Sequence, residues 1–191
     1  MRLDLSFYAR PALPVARELL GKVLVLDEGG VRKAGRIVET EAYVGEHDLA
    51  CHAAKGRTAR TEVLFGPPGR AYVYLIYGMY HCFNVVTEPE GVAAAVLVRG
   101  LEPLEGFPPG AATDGPGKLC RAMGLSLAHN REDLLSDRLH LLDGPRVPDR
   151  QVVRGPRVGV DYAGEWAAKP YRFWIRGNAF VSRTPGRKSR P

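Results

Sequence analysis

The chain has few cysteines and no long apolar run, and these absences limit what it can be. Its three cysteines, Cys51, Cys82 and Cys120, are odd in number and widely spaced, which argues against a disulfide framework. No window has the uninterrupted apolar length of a membrane span, and the N-terminus lacks the charged-then-apolar shape of a secretory signal. The sequence therefore predicts a cytoplasmic protein that does not contact a membrane.

Several motifs that carry chemistry are also missing. There is no Cys-x-x-Cys pair and no His-Glu-x-x-His, which excludes zinc sites of those types. Gly117-Lys118 lacks the other residues of a phosphate-binding loop, and no Gly-x-Gly-x-x-Gly joins a strand to a helix. Residues 46–52 include several acidic, His and Cys residues that could bind a metal. The ordinary polarity of a loop explains them better than a metal site does. We predict no metal.

The composition predicts one domain with a polyanionic partner. A chain of 191 residues with 45% apolar content can build one well-packed core. The net charge of +6 and the pI near 9.4 favour a polyanion such as a nucleic acid. We assign residues 1–182 to the domain and residues 183–191 to a basic, flexible tail. A solubilising end and a phosphate-contacting arm are equally good interpretations of the tail.

The pattern of apolar runs and turns predicts a mixed α/β domain built around a predominantly antiparallel sheet. Short helices are predicted where glycine or proline bounds a brief apolar pattern, over residues 14–20, 118–123 and 130–135. Strands are predicted over residues 23–26, 33–43, 72–77, 81–87, 92–99, 157–160 and 171–175. Residues 101–117 are rich in Pro and Gly and are expected to be irregular.

Four of the eight tyrosines fall within the run Tyr72 to Tyr80, which ends in Gly78-Met79. The run predicts a strand that enters a tight turn with an aromatic residue at its tip. In a basic protein such rings can stack on bases or insert between them. Aromatic residues also favour strands for packing alone, and the run by itself favours that simpler interpretation.

The segment Glu39-Thr40-Glu41-Ala42-Tyr43 is the best candidate for chemistry. Alternation on a strand places Glu39, Glu41 and Tyr43 on one face. Burying two carboxylates is costly unless a cation neutralises them, and Arg36 or Arg99 could do so. A solvated acidic face on an edge strand is the alternative. Paired carboxylates also allow a glycosidase, although a hydrolase of small sugars has no need of a basic surface.

Longer stretches of the chain resemble the alkyladenine DNA glycosylase family. The matching segments occur in the family's order and cover nearly the whole chain up to Ser182. They are residues 39–43, His52, 72–80, Asn84, 97–106, 115–120, 157–160 and 164–166.

The resemblance implies a single compact domain with a curved antiparallel sheet, short helices and a protruding β-hairpin that inserts into DNA. It implies a monomeric, monofunctional enzyme that flips alkylated or deaminated purines out of double-stranded DNA and hydrolyses their glycosidic bond. Substrates of this class are 3-methyladenine, 7-methylguanine, hypoxanthine and ethenoadenine, and the product is an abasic site. No metal or organic cofactor is expected.

The resemblance also implies roles for residues that contact the reacting sugar or the flipped base. Glu41 corresponds to the general base, and Arg99 and the main-chain carbonyl of Val158 correspond to the groups that hold its water. The walls and floor of the base pocket correspond to Tyr43, His52, Tyr74, Asn84 and Leu97.

The remaining expected roles concern DNA outside the pocket. Tyr77 corresponds to the wedge at the hairpin tip, with Met79 beside it, whereas Tyr72 and Tyr80 are expected to pack in the core. Four basic residues are candidate phosphate contacts, Lys118, Arg57, Arg60 and Arg70. The alternative function is a non-catalytic protein that binds damaged or single-stranded DNA through the same aromatic side chains.

Overall fold

A computed structural model describes residues 1–182, so the predicted tail lies outside the described residues. Its elements are three helices, α1 (Leu5–Tyr8), α2 (Ala12–Leu19) and α3 (Pro116–Met123), and eight strands. The strands are β1 (Val23–Glu28), β2 (Val31–Tyr43), β3 (Ala71–Ile76), β4 (Tyr80–Thr87), β5 (Ala94–Glu105), β6 (Leu139–Leu142), β7 (Val152–Gly155) and β8 (Arg172–Ile175). Short 3-10 helices lie at His52–Lys55, Glu62–Phe65, Leu127–His129, Asp149–Gln151 and Asp161–Ala168.

The strands form one curled antiparallel sheet, as predicted. Its main order is β3-β4-β5-β2-β1-β6, and β7 and β8 join through the pairing of β8 with β2. Strand β2 is 13 residues long and has β5 on one side. On its other side the first part pairs with β1 and the last part pairs with β8. The segment Glu39 to Glu41 therefore lies in the centre of the sheet, and the edge-strand alternative is wrong.

The helices are short, and α2 packs against the sheet. One face of α2 is fully buried, at Ala12, Val15, Ala16 and Leu19, and the hydroxyl of Thr40 donates a hydrogen bond of 2.8 Å to the carbonyl of Ala16. Helix α2 thus covers the face of β2 opposite Glu39 and Glu41. In the described residues no helix is both long and apolar enough to cross a membrane.

Helix α3 ends where the sequence predicts. Gly124 follows its last residue in the left-handed conformation, with φ of 89°, and donates a hydrogen bond to the carbonyl of Cys120. A glycine adopts this conformation without the steric cost that a Cβ atom imposes. All three cysteines are free and buried.

Three local predictions were wrong. Residues 130–135 are not helical, because Arg131 has φ of 73° and the side chain of Asn130 accepts a hydrogen bond from the amide of Val73 in β3. Residues 157–160 form a loop, which turns at Gly159 with φ of 73°. The third error is at residues 101–105, which continue β5.

Strand β5 contains Pro103 at a position where only one neighbouring strand pairs with it. Its pairing with β4 stops at Leu97, while β2 remains beside it. Pro103 pairs with Gly35 next to a shift in the register between the strands. Proline is acceptable at such irregular or edge positions because its missing N–H is not needed there.

Candidate active site

Strand pairing sets one row of side chains across the sheet. Tyr72 pairs with Asn84, Asn84 with Leu97, and Leu97 with Glu41, from β3 to β2. Directly paired residues point to the same face of a sheet. The next residues on that face are two positions away along each strand, which adds Tyr74, Arg99 and Tyr43. These residues, distant in sequence, share one face of the sheet because of the strand register.

The carboxylate of Glu41 is fully buried and surrounded by donors. Its Oε1 accepts a hydrogen bond of 2.7 Å from the amide of Val158, and its Oε2 accepts one of 2.9 Å from the hydroxyl of Tyr43. The Nε of Arg99 lies 3.5 Å from Oε1. Burial raises the pKa of Tyr43 well above its usual value, and the charge of Glu41 adds to the effect, so the phenol keeps its proton and donates.

Glu39 lies two residues away on the same face and has different partners. Its Oε1 accepts hydrogen bonds from Nε of Arg99 at 3.0 Å, from Nε of Arg172 at 2.7 Å and from the Ser182 hydroxyl at 2.8 Å. Its Oε2 accepts one of 2.6 Å from the amide of Ser182. This carboxylate is therefore occupied by the protein itself and anchors the end of the described chain to the sheet.

Arg99 thus lies between both carboxylates, and Arg36 does not join them. Burial lowers the pKa of Arg99, but Glu41 and Glu39 outweigh burial and raise it overall, so the guanidinium stays charged. The Nε of Arg36 lies 3.1 Å from Glu102 instead. The prediction that a cation neutralises the pair is correct for Arg99, and the suggestion of Arg36 was wrong.

A cavity of about 530 Å³ opens above this cluster. Its size is within the range of small-molecule sites. The sequence-predicted residues that line it are Tyr43, His52, Tyr74, Tyr77, Asn84, Leu97, Arg99 and Val158. Glu41 itself lies behind this wall, covered by Tyr43, Val158 and Arg99.

The aromatic wall is neutral near pH 7. The rings of His52 and Tyr74 pack edge to face with centroids 4.6 Å apart, and Nδ1 of His52 lies 2.9 Å from the hydroxyl of Tyr72. Burial lowers the pKa of His52 to about 4, and the nearby charges of Arg60 and Lys55 add to the effect. His52 therefore presents an uncharged imidazole to the cavity.

The hairpin formed by β3 and β4 carries its tip into solvent at the mouth of the cavity. Tyr77 is 82% exposed and Met79 is 61% exposed, although both are large and apolar. Tyr77 has φ of 53° and Gly78 has φ of 69°, so both central residues of the turn are left-handed. Tyr77 and Ile76 also line the cavity.

Comparison with known proteins assigns the chain to a family. The family model described as "Methylpurine-DNA glycosylase (MPG)" matches residues 6–179. The chain belongs to the methylpurine-DNA glycosylase family. It is therefore a DNA glycosylase, a hydrolase of DNA repair that acts on DNA.

Curated relatives of this glycosylase come from several bacteria. A protein of Myxococcus xanthus named "Putative 3-methyladenine DNA glycosylase" is 68% identical over 180 residues, which cover 94% of this chain and 93% of the relative. Proteins with the same name in Anaeromyxobacter dehalogenans and Legionella pneumophila are 58% and 51% identical, over 96% of this chain in each case. They are covered over 87% and 99% of their own lengths.

Several residues that line the candidate site were not predicted from the sequence. Tyr72 was assigned to core packing, yet it is both buried and part of the cavity wall. It is two positions from Tyr74, so alternation along β3 was a signal that could have found it. Cys82 and Tyr162 also line the cavity. The prediction that Tyr80 packs in the core is wrong, because Tyr80 is 37% exposed, although it lies against Gly117 and has Arg121 over its ring.

A buried ion pair holds the loop that supplies the Val158 amide. The guanidinium of Arg157 makes two hydrogen bonds to Asp48, of 2.5 and 2.8 Å, and one of 2.8 Å to the carbonyl of Ala42. It also lies over the ring of Tyr43 at 4.7 Å. Asp48 belongs to the polar segment of residues 46–52, so its role in the glycosylase is to brace the wall beside Glu41. Sequence spacing gave no sign of this pair.

The candidate phosphate contacts have varied surroundings. Lys118 is 3.0 Å from Asp114, and Arg70 is 3.4 Å from Asp133, so each has an acidic neighbour. Arg57 lies over the ring of Phe65 at 4.6 Å. Arg60 lies over the ring of Tyr74 at 5.1 Å and is therefore tied to the cavity wall.

Proposed function

We propose that this protein is a monofunctional DNA glycosylase that flips damaged purines out of double-stranded DNA and hydrolyses their glycosidic bond. Its substrates are purines of the 3-methyladenine, 7-methylguanine, hypoxanthine and ethenoadenine class, and its product is an abasic site. The observation that carries the proposal is the buried carboxylate of Glu41 behind an aromatic-lined cavity, with Arg99, Tyr43 and Val158 as its partners.

Extrusion of the base comes first in the mechanism. Flipping costs a few kcal/mol of stacking and pairing, and a damaged base reduces that cost. Tyr77 at the exposed hairpin tip enters the vacated space and stacks there, with Met79 beside it. The flipped purine then enters the cavity between Tyr43, His52 and Tyr74.

The pocket floor limits which purines fit. The side-chain amide nitrogen of Asn84 donates a hydrogen bond of 3.0 Å to the carbonyl of Tyr72, which holds the side chain in one orientation. A fixed amide beside the base opposes the exocyclic amino group of guanine. Leu97, which pairs with Asn84 across the sheet, supplies an apolar surface next to it.

Hydrolysis then requires a base and a held water. As the C1′–N9 bond breaks, the sugar becomes positively charged, and the carboxylate of Glu41 stabilises that charge and accepts the proton of the attacking water. Each carboxylate oxygen can accept two hydrogen bonds, so Glu41 can bind a water besides Val158 and Tyr43. Arg99 and the main-chain carbonyl of Val158 hold that water. We expect a cytoplasmic monomer that needs no metal or organic cofactor for this reaction.

The test is excision from duplexes that carry 3-methyladenine, hypoxanthine or ethenoadenine, resolved with and without alkaline cleavage. Strand breaks only after alkali are expected, because a monofunctional enzyme leaves the abasic strand intact. Breaks without alkali would contradict this assignment. Binding with no abasic product after long incubation would favour the non-catalytic binder.

We predict that Glu41→Gln binds lesion duplexes like the native protein but releases base about 10² to 10⁴ times more slowly, since general-base catalysis contributes that much. Single-turnover rates and a binding isotherm on the same duplex measure the two effects. Glu46→Gln is the matched control, because Glu46 is exposed on the loop that follows β2. Native rates in Glu41→Gln would show that another group is the base.

A further inference from the structure

Arg60 contacts the aromatic wall of the base cavity. Its Cζ is 5.1 Å from the centre of the Tyr74 ring. Tyr74 lines the cavity of about 530 Å³, whereas Arg60 lines a neighbouring cavity of about 280 Å³, and His52 borders both. The guanidinium therefore contacts the Tyr74 ring but borders the neighbouring cavity and not the base cavity.

The charge of Arg60 acts on the groups of that wall. Burial is the main reason that the pKa of His52 falls to about 4, and the charge of Arg60 is the next largest cause. Burial raises the pKa of Tyr72, and the charge of Arg60 opposes that rise. The wall thus consists of neutral rings with the exposed cation of Arg60 over one of them, Tyr74.

We propose that Arg60 determines which lesion charge this pocket favours, an inference that rests on the proposed function. A cation over one face of an aromatic ring uses the electron density that a second cation on the same ring would need, and the two like charges repel. Arg60 therefore weakens the binding of a purine that enters the pocket already positively charged. Arg60 favours the reaction of a neutral purine, because it stabilises the negative charge that such a base gains as it leaves.

Charge conservation explains why Arg60 has opposite effects on cationic and on neutral purines. When the C1′–N9 bond of a neutral purine breaks, the electron pair stays on N9, and the base departs as an anion that later takes a proton from solvent. The water oxygen bonds to C1′, and its proton passes to Glu41. A cationic 7-methylguanine departs as a neutral base after the same step. Arg60 stabilises the departing anion of the first reaction and has no developing negative charge to stabilise in the second.

Arg57 provides a matched control three residues earlier. It has the same charge and also lies over an aromatic ring, at 4.6 Å, but that ring is Phe65 of the buried core. Arg57→Gln and Arg60→Gln each remove one positive charge from the same loop. A sequence-independent loss of attraction to DNA is therefore common to both variants.

The experiment compares release of hypoxanthine and of 7-methylguanine from otherwise identical duplexes under single-turnover conditions. With saturating enzyme, Arg60→Gln is expected to release hypoxanthine about two- to fivefold more slowly, the range for an exposed cation–π contact. With subsaturating enzyme it is expected to release 7-methylguanine about two- to fivefold faster relative to Arg57→Gln. Arg60→Lys keeps the charge and should keep the native ratio of the two rates.

Equal effects of Arg60→Gln and Arg57→Gln on both lesions would overturn the inference and make Arg60 an ordinary phosphate contact. The inference would also be overturned if Arg60→Gln released hypoxanthine and 7-methylguanine with the same ratio of rates as the native protein. Failure of the proposed function is a different result, because the native protein would then release neither base. A thermal unfolding midpoint measured for each variant keeps loss of fold separate from loss of selectivity.

Discussion

Glu39 and Glu41 differ in their partners and not in residue type. They lie two positions apart on one strand, are both fully buried and are both within reach of Arg99. Glu39 also binds Arg172 and the amide of Ser182, whereas Glu41 binds one amide and one phenol beside the cavity. The first arrangement ties a carboxylate to two arginines and to Ser182, whereas the second places a carboxylate directly behind the cavity wall.

We predict that Glu39→Gln lowers the free energy of unfolding by about 3 to 5 kcal/mol, since it leaves Arg99 and Arg172 buried with one fewer anion. Urea denaturation monitored by circular dichroism measures the change. The exposed Glu46→Gln should stay within about 0.5 kcal/mol of the native protein. An unchanged urea midpoint in Glu39→Gln would remove the structural role assigned to this carboxylate.

At the residue scale, the sequence predicted which side chains share a face but not which groups they contact. Alternation placed Glu39, Glu41 and Tyr43 on one face of a strand, and that placement is confirmed. The partners of these carboxylates come from β5, β8 and the loop at Val158, which are about 60 to 130 residues away along the chain. No local pattern contains that information, which is why Arg36 was suggested and Arg172 was missed.

The hairpin of β3 and β4 has an unfavourable residue at its tip. Tyr77 adopts φ of 53°, a region in which side chains other than glycine are sterically disfavoured. Its ring is mostly exposed and packs little against the core. Strain and exposure of a large aromatic side chain at one position are typical of a functional residue.

We predict that Tyr77→Gly changes stability and activity in opposite directions. Glycine relieves the positive φ and should raise the free energy of unfolding by up to about 1 kcal/mol. Loss of the stacking ring should slow hypoxanthine release by ~10-fold or more. Urea denaturation and single-turnover excision on one preparation test both effects.

Val31→Ala is the control for this prediction. Val31 is an exposed apolar residue at the start of β2, in the hairpin that β2 forms with β1. Its substitution should leave the excision rate at the native value. A Tyr77→Gly protein that excises at the native rate would exclude the wedge role.

The predicted elements were mostly right where local signals agree. Strands over the alternating or apolar runs and helices bounded by glycine were confirmed, because these patterns reflect which side chains can be buried. Residues 130–135 and 157–160 were wrong because side-chain bonds from Asn130 and Arg157 to distant backbone and carboxylate groups determine their path. Tertiary contacts replaced the local preference at both places.

At the scale of the whole molecule, the net charge of +6 favours association with DNA. Not every basic side chain can contact DNA, because Arg99, Arg157 and Arg172 are buried in ion pairs. Basic side chains on the loop near the cavity, such as Arg57, remain exposed. Binding to the phosphate backbone should therefore depend on particular surface cations more than on total charge.

We predict that Arg57→Gln lowers the slope of log Kobs against log salt concentration by about 1 for a duplex without a lesion, the value for one phosphate contact. Arg146→Gln is the control, since it makes the same change in net charge at an exposed position in the loop after β6. Fluorescence anisotropy over a salt series measures both slopes. Equal slopes for the two variants would mean that Arg57 makes no phosphate contact.

The sequence by itself determined the fold class, the strand that carries the two carboxylates and the hairpin with an aromatic tip. These features depend on periodicity, turn residues and composition, which are local properties of a chain. Only the tertiary structure decided which carboxylate is buried among arginines and which lies beside the cavity, that Tyr72 joins its wall, and that Arg60 lies over the ring of Tyr74. Those outcomes depend on strand register and on long-range ion pairs, and they exist only when distant segments pack together.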